Sequence, residues 1–169
     1  MNDSDHFLKL NIASTSVDSI KNRIRNAEES EWITYLEQNI LLLNIEDIKT
    51  DTKIVQLIKD IGTSKRIGVY RTAPNSCYGW HADSGRMSSI NMLIEGFDSM
   101  CVFGEPAPSK QFINLSRLQH EPNTYYLMNV KKYHTVYNFS NQRRYILSLG
   151  IPDKSFSEVR DYLKENDMI

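Results

Sequence analysis

Several features are scarce in this chain, and each scarcity removes a class of function. No apolar run exceeds four residues, as at 40–43, whereas a membrane-spanning helix needs roughly 20. The N-terminus carries Asp3, Asp5 and His6 where a secretory leader would place basic and then apolar residues. The expectation is a soluble, cytoplasmic protein with no membrane partner. Charge of one sign is not in excess either: 20 basic against 21 acidic residues leave a net charge of −1. That balance argues against nucleic acid as a partner drawn by a global field. Cysteine is limited to Cys77 and Cys101, 24 positions apart and without a CxxC pair. Zinc-ribbon and dithiol redox readings fall away, leaving two reduced, buried thiols as the expectation.

The 169 residues fit one domain spanning 1–169. In residues 1–62 the pattern is helical: Trp32, Tyr35, Leu36, Ile40 and Leu43 recur at three- and four-residue steps, and Ile54, Leu57 and Ile58 repeat the pattern before Gly62. From 66 to 151 the texture changes to strand-like runs at 66–71, 87–95, 100–103, 124–128, 134–137 and 144–151, punctuated by turn formers such as Pro74-Asn75 and Pro122-Asn123. A last helix over 155–166 opens on Ser155 and Glu158 at capping-box spacing. Short strands preceded by helices predict a mainly β protein with flanking helices, a barrel or double-sheet jelly roll.

The chemistry is carried by His81-Ala82-Asp83. Residues two apart on a strand share a face, so both side chains can reach one metal. Chance supplies about a quarter of an HxD in a chain with this many His and Asp, so further matches must decide. His134 lies 53 positions on, within a run whose aromatic and β-branched residues suit a strand. Two imidazoles and one carboxylate occupy a triangular face around Fe(II) and leave three positions open. Arg144 follows ten residues later, across the turn-forming stretch 138–141. If that loop is a three-residue hairpin connection, His134 lies opposite Arg144 on one face; a four-residue loop selects Arg143 instead. A guanidinium grips both oxygens of a carboxylate at once.

Taken in order, His81-x-Asp83, His134 and Arg144 resemble the HxD…H…R signature of 2-oxoglutarate- and Fe(II)-dependent dioxygenases, over roughly residues 66–151. The texture is similar to prolyl-hydroxylase-like members and to short oxygenases of bacteria and their phages. The resemblance implies a double-stranded β-helix, a cupin-like jelly roll. It implies His81, Asp83 and His134 as metal ligands and Arg144 as the cosubstrate's carboxylate clamp, with Tyr70 and Asn91 as further cosubstrate contacts. The implied reaction consumes O2, converts 2-oxoglutarate to succinate and carbon dioxide, and hydroxylates a C–H bond of a small-molecule or peptidyl substrate. One departure is Ile146, where many members carry a hydroxyl two positions after the arginine; Ser148 follows two residues later.

Other residues keep open readings. Tyr78 and Trp80 line a substrate mouth or simply pack. Arg86 binds an anion or sits solvated at a turn, and residues 71–79 form a lid or an ordinary loop. His6 is expected in a mobile terminus and His120 in a loop, neither as a ligand. Two competing functions are a non-catalytic cupin-like metal-binding or sensing module, which has no need of a carboxylate clamp, and a nucleobase oxygenase, against which the lack of basic excess counts.

Overall fold

The computed structural model describes residues 5–35, 38–62 and 67–169. In chain order they form β1 (Phe7–Ala13), α1 (Val17–Asn26), β2 (Trp32–Tyr35), β3 (Gln38–Leu43), α2 (Thr52–Asp60), β4 (Ile67–Thr72), β5 (Ser76–His81), β6 (Ser88–Glu95), β7 (Ser99–Pro106), β8 (Phe112–Leu118), β9 (Thr124–Met128), β10 (His134–Asn138), β11 (Arg144–Ile151) and α3 (Phe156–Glu165). The strands pair antiparallel in two sheets: a wide one ordered β1-β9-β6-β11-β4-β3-β2 and a narrow one ordered β5-β10-β7-β8.

Alternation along each strand gives the wide sheet two chemically different faces. On one, Ile90 and Met92 of β6, Leu147 and Leu149 of β11 and Val69 of β4 join Ile20 of α1, Leu57 of α2 and Val159 of α3 in the main apolar core. Helices of nine or ten residues are marginal in isolation, whereas each fully buried aliphatic side chain contributes about 1.5–3 kcal/mol. Packing on the sheet therefore holds the helices. The α3 terminus adds its capping box, with Glu158 N–H donating to Ser155 Oγ at 3.3 Å and Ser155 N–H to Glu158 Oε2 at 2.8 Å.

The other face of the wide sheet looks onto the narrow one. There Tyr126 and Met128 of β9 pack with Cys101 and Phe103 of β7 and Leu118 of β8. Asn91 lies opposite both Tyr126 and Ser148, and Thr72 opposite Arg144, so the register brings polar side chains into the same inter-sheet space.

Several expectations need correction. The stretch from Trp32 to Leu43 is not helical: β2 and β3 form a hairpin with Trp32 opposite Leu41. Helical and strand periods overlap over so short an apolar segment, and burial shows which one folded, with Leu41 at 1%, Leu42 at 51% and Leu43 at 6% exposure. Leu36 and Arg66 lie outside the described residues. β1 also interrupts the helical texture expected over 1–62, and β5 and β8 add strands that were not anticipated. Cys101 is buried as expected, but Cys77 is exposed. Residues 71–79 form no lid, because β4 runs to Thr72 and β5 begins at Ser76, leaving a short turn with Asn75 at φ 47°. Among the described residues no helix is long and apolar enough to cross a membrane.

Gly96, after β6, anchors the polar end of this interior. Its φ is +85°, and a Cβ there would lie 2.8 Å from Arg144 Cα and 2.9 Å from Arg144 Cβ. Gly96→Ala is expected to lower stability by about 1–3 kcal/mol from the backbone conformation alone, with the clash adding to it. Urea unfolding checks this; an unchanged midpoint would show that the close approach is not needed.

Candidate functional site

His81 ends β5 and His134 begins β10, and the register sets them directly opposite each other. Their ring centroids are 4.2 Å apart. His81 Nδ1 donates to Gly79 O at 2.8 Å and His134 Nδ1 to Lys132 O at 2.9 Å. A carbonyl only accepts, so each Nδ1 carries its ring's proton and each Nε2 presents a lone pair. Asp83 stands just beyond the strand, its N–H donating to Val130 O at 2.8 Å. Asp83 Oδ1 is 3.6 Å from His81 Nε2. One ligand atom from each of His81, Asp83 and His134 lies within 4.8 Å of the other two. Burial and the neighbouring His81 hold His134 down to about pKa 4, which keeps it neutral, the form that ligates metals.

The second oxygen of Asp83 is already engaged, because it accepts from Arg86 Nε. Arg86 Nη1 donates to Ser148 Oγ at 2.7 Å, and the guanidinium lies 5.6 Å from the centroid of Tyr70. Arg86 is thus no solvated turn residue: it ties the HxD turn to β11 and leaves Asp83 one oxygen to offer.

Arg144 reaches this interior by another route than the expected hairpin. β10 pairs with β5 and β7 while β11 pairs with β4 and β6, so His134 and Arg144 belong to different sheets. The chain crosses between sheets at 139–143 because Asn138 Nδ2 donates to both Ala73 O and Gln142 O, each at 2.8 Å, and so closes that turn locally. Arg143 is exposed and Arg144 is 2% exposed. Arg144 Nε donates to Ser99 Oγ at 3.1 Å, and that hydroxyl donates to Gly96 O at 2.5 Å. Arg144 Nη2 is buried without a partner. Burial lowers the guanidinium to about pKa 10, so it stays cationic at neutral pH. Cys101, whose thiol burial pushes up to about 12, feels the charges of both Arg144 and Asp83. Through Ser99 of β7, Arg144 reaches from the wide sheet to the narrow sheet that carries His81 and His134.

Asn91 Oδ1, Thr72 Oγ1 and Ser89 Oγ, on the same face of the wide sheet as Arg144, also lack partners. Buried polar atoms are nearly always paired, so several unpaired ones around a buried cation fit a polar, anionic ligand. Tyr70 is half-buried beside Arg86, and Asn91 is buried opposite Ser148. Tyr78 meets His81 edge-on at 4.3 Å, whereas Trp80 stacks on Phe112 at 3.9 Å. A further correction concerns His6, whereas His120 lies in the loop beyond the end of β8, as expected. His6 is buried and stacked on Phe103 at 5.1 Å, and Phe103 in turn lies 5.5 Å from His134. His120 is 4% exposed. Ser99 and His120 are interior residues to which the sequence pattern gives no role, while it leaves Arg86 two open readings; the burial of His120 continues that of Ser116 and Leu118.

Arg86→Ala frees the second oxygen of Asp83 and is expected to weaken divalent-metal binding at the three-residue cluster by about 10- to 100-fold, as for other groups that orient a ligand. Anaerobic metal titration checks this; unchanged affinity would show that Arg86 does not position the carboxylate.

No protein-family model and no curated protein matches the sequence. Solved structures share its fold. A prolyl-4-hydroxylase from Pseudomonas putida aligns with a TM-score of 0.61 at 11% identity, over 90% of this chain and 96% of that one. An oxidoreductase of the 2OG-Fe(II) oxygenase family from Burkholderia pseudomallei aligns at 0.55 and 11% identity, over 89% of each chain. The non-haem α-ketoglutarate-dependent epimerase SnoN from nogalamycin biosynthesis aligns at 0.54 and 9% identity, over 85% of this chain and 76% of that one. The chain thus has the double-stranded β-helix fold of 2-oxoglutarate- and Fe(II)-dependent oxygenases.

Proposed function

We propose that the protein is an Fe(II)- and 2-oxoglutarate-dependent dioxygenase that hydroxylates a C–H bond of a protein side chain, amino acid or small metabolite. The observation that carries this reading is the pairing of a three-ligand cluster within 4.8 Å with a buried arginine whose Nη2 has no partner in the same interior. The donor set fits Fe(II): two neutral imidazoles and one carboxylate oxygen satisfy one face of an octahedron and leave three positions open. In this reading His81, Asp83 and His134 are the ligands. Bound Fe(II) supplies the oxidative chemistry, coupling decarboxylation of the 2-oxo acid with O2 to oxidation of the substrate.

The remaining work falls to the chain's own residues. The Gly79 and Lys132 carbonyls keep both imidazoles in the ligating tautomer. Arg86 occupies the other Asp83 oxygen, so the carboxylate offers one donor atom. Arg144 holds the distal carboxylate of 2-oxoglutarate through Nη2, with Ser99 steering its Nε. In this reading Asn91 of β6 and Tyr70 of β4, the strands on either side of β11, contact the cosubstrate's polar atoms. Sheets on both sides exclude water, which strengthens these charge-assisted bonds. A module that binds metal without turnover leaves the buried guanidinium of Arg144 unexplained.

Anaerobic addition of Fe(II) and 2-oxoglutarate is expected to give a visible charge-transfer band, and admission of O2 to release succinate. Arg144→Ala should weaken 2-oxoglutarate about 10- to 100-fold, the cost of losing charge-assisted bonds, and His134→Ala should abolish the band. Absence of the band in the unaltered protein, or unchanged turnover in both variants, would overturn the reading.

A further inference from the structure

The inward alternation of β8 runs past its end. Ser116 and Leu118 are buried, Arg117 and Gln119 are exposed, and His120 is buried again. β8 pairs with β7 so that Leu118 lies opposite Cys101; His120 follows two residues after that last pair, and Ser99, two residues before Cys101 on β7, receives Arg144 Nε on its hydroxyl. The imidazole packs edge-on against Tyr126 at 5.1 Å. Both of its ring nitrogens are buried without a hydrogen-bond partner.

A structural histidine in a core is normally held by at least one hydrogen bond, since an orphaned buried polar group carries the full cost of its desolvation. Arg144 Nη2 is likewise unsatisfied, and the charge of Arg144 acts on the His120 ring. Burial, with Arg144 acting in the same direction, holds the imidazole down to about pKa 3. It is therefore neutral and has one N–H to donate. Two unused donors, one just after β8 of the narrow sheet and one on β11 of the wide sheet, suit a single acceptor with two oxygens.

We propose that His120 is a second binding residue for the distal carboxylate of the 2-oxo acid, donating to it alongside Arg144. The proposal rests on the cosubstrate reading above and adds to it the residue that selects a dicarboxylate. It also accounts for Ile146. Two positions after Arg144 and on its face of β11, that side chain is buried and offers no hydroxyl; the missing donor comes from the opposite sheet.

The test compares two probes on the Fe(II)-loaded full chain without O2: 2-oxoglutarate, and 2-oxopentanoate, which has the same chain length with a methyl in place of the distal carboxylate. Dissociation constants are read from the charge-transfer band. His120→Leu is expected to weaken 2-oxoglutarate by about 10- to 100-fold and 2-oxopentanoate by less than about twofold, because only the former loses a bond to a charged group. His120→Gln, which keeps an N–H donor, should recover part of the loss. In the metal-free protein His120→Leu should raise the melting temperature, since it removes an orphaned polar group. An unchanged ratio between the two acids, equal weakening of both, no recovery in His120→Gln, or a lowered melting temperature would each overturn the proposal. No band from the unaltered protein with either acid overturns the cosubstrate reading and this inference together, whereas a normal band with an unchanged ratio overturns this inference alone.

Discussion

The β5–β10 pairing sets His81 and His134 face to face, and the rest of the site depends on it. His81 ends its strand and His134 begins its own, and nearby carbonyls accept hydrogen bonds from their Nδ1–H groups. The backbone thus settles tautomer and direction before any ligand arrives, so little ordering entropy remains to be lost on binding. Asp83 then needs only a fixed turn, which its own N–H to Val130 O and the Arg86 guanidinium supply.

Stability and function occupy opposite faces of the wide sheet. The helix-covered face is nearly all apolar and needs no partner beyond shape. The inter-sheet face carries Arg144, Asn91, Ser89 and Thr72, each with a buried polar atom left unpaired. Such atoms reduce stability by their desolvation cost, and the helix-covered core is what allows them to be kept. Alternation makes this division possible, since neighbouring residues of one strand serve different faces, as Ile90, Asn91 and Met92 do on β6.

Much of this was legible in sequence where local pattern and chemistry coincide. From β4 onward all strands but β5 and β8 follow expected β-branched and aromatic runs, and the HxD with a later histidine and arginine carries its own spacing. Legibility failed where tertiary pairing decides. The apolar residues of 32–43 fit a helical stripe as well as a hairpin, and only pairing against β4 selects strands. Arg144 was identified by counting along a hairpin that does not form; it faces the pocket because β11 alternates within the wide sheet, and Arg143 points to solvent for the same reason. His120 does lie in the loop after β8, next to Glu121-Pro122; its burial, which continues that of Ser116 and Leu118, has no local signal. Arg86 was ambiguous because nothing local names Ser148, 62 residues away, as its partner.

The central claim is that three side chains from one sheet edge hold a single iron. Anomalous diffraction at the iron edge, from crystals grown without O2 in the presence of Fe(II), tests it most directly. The expected result is one peak bounded by His81 Nε2, His134 Nε2 and a single oxygen of Asp83, with the other oxygen still on Arg86. A peak elsewhere, or none at that position, would contradict it.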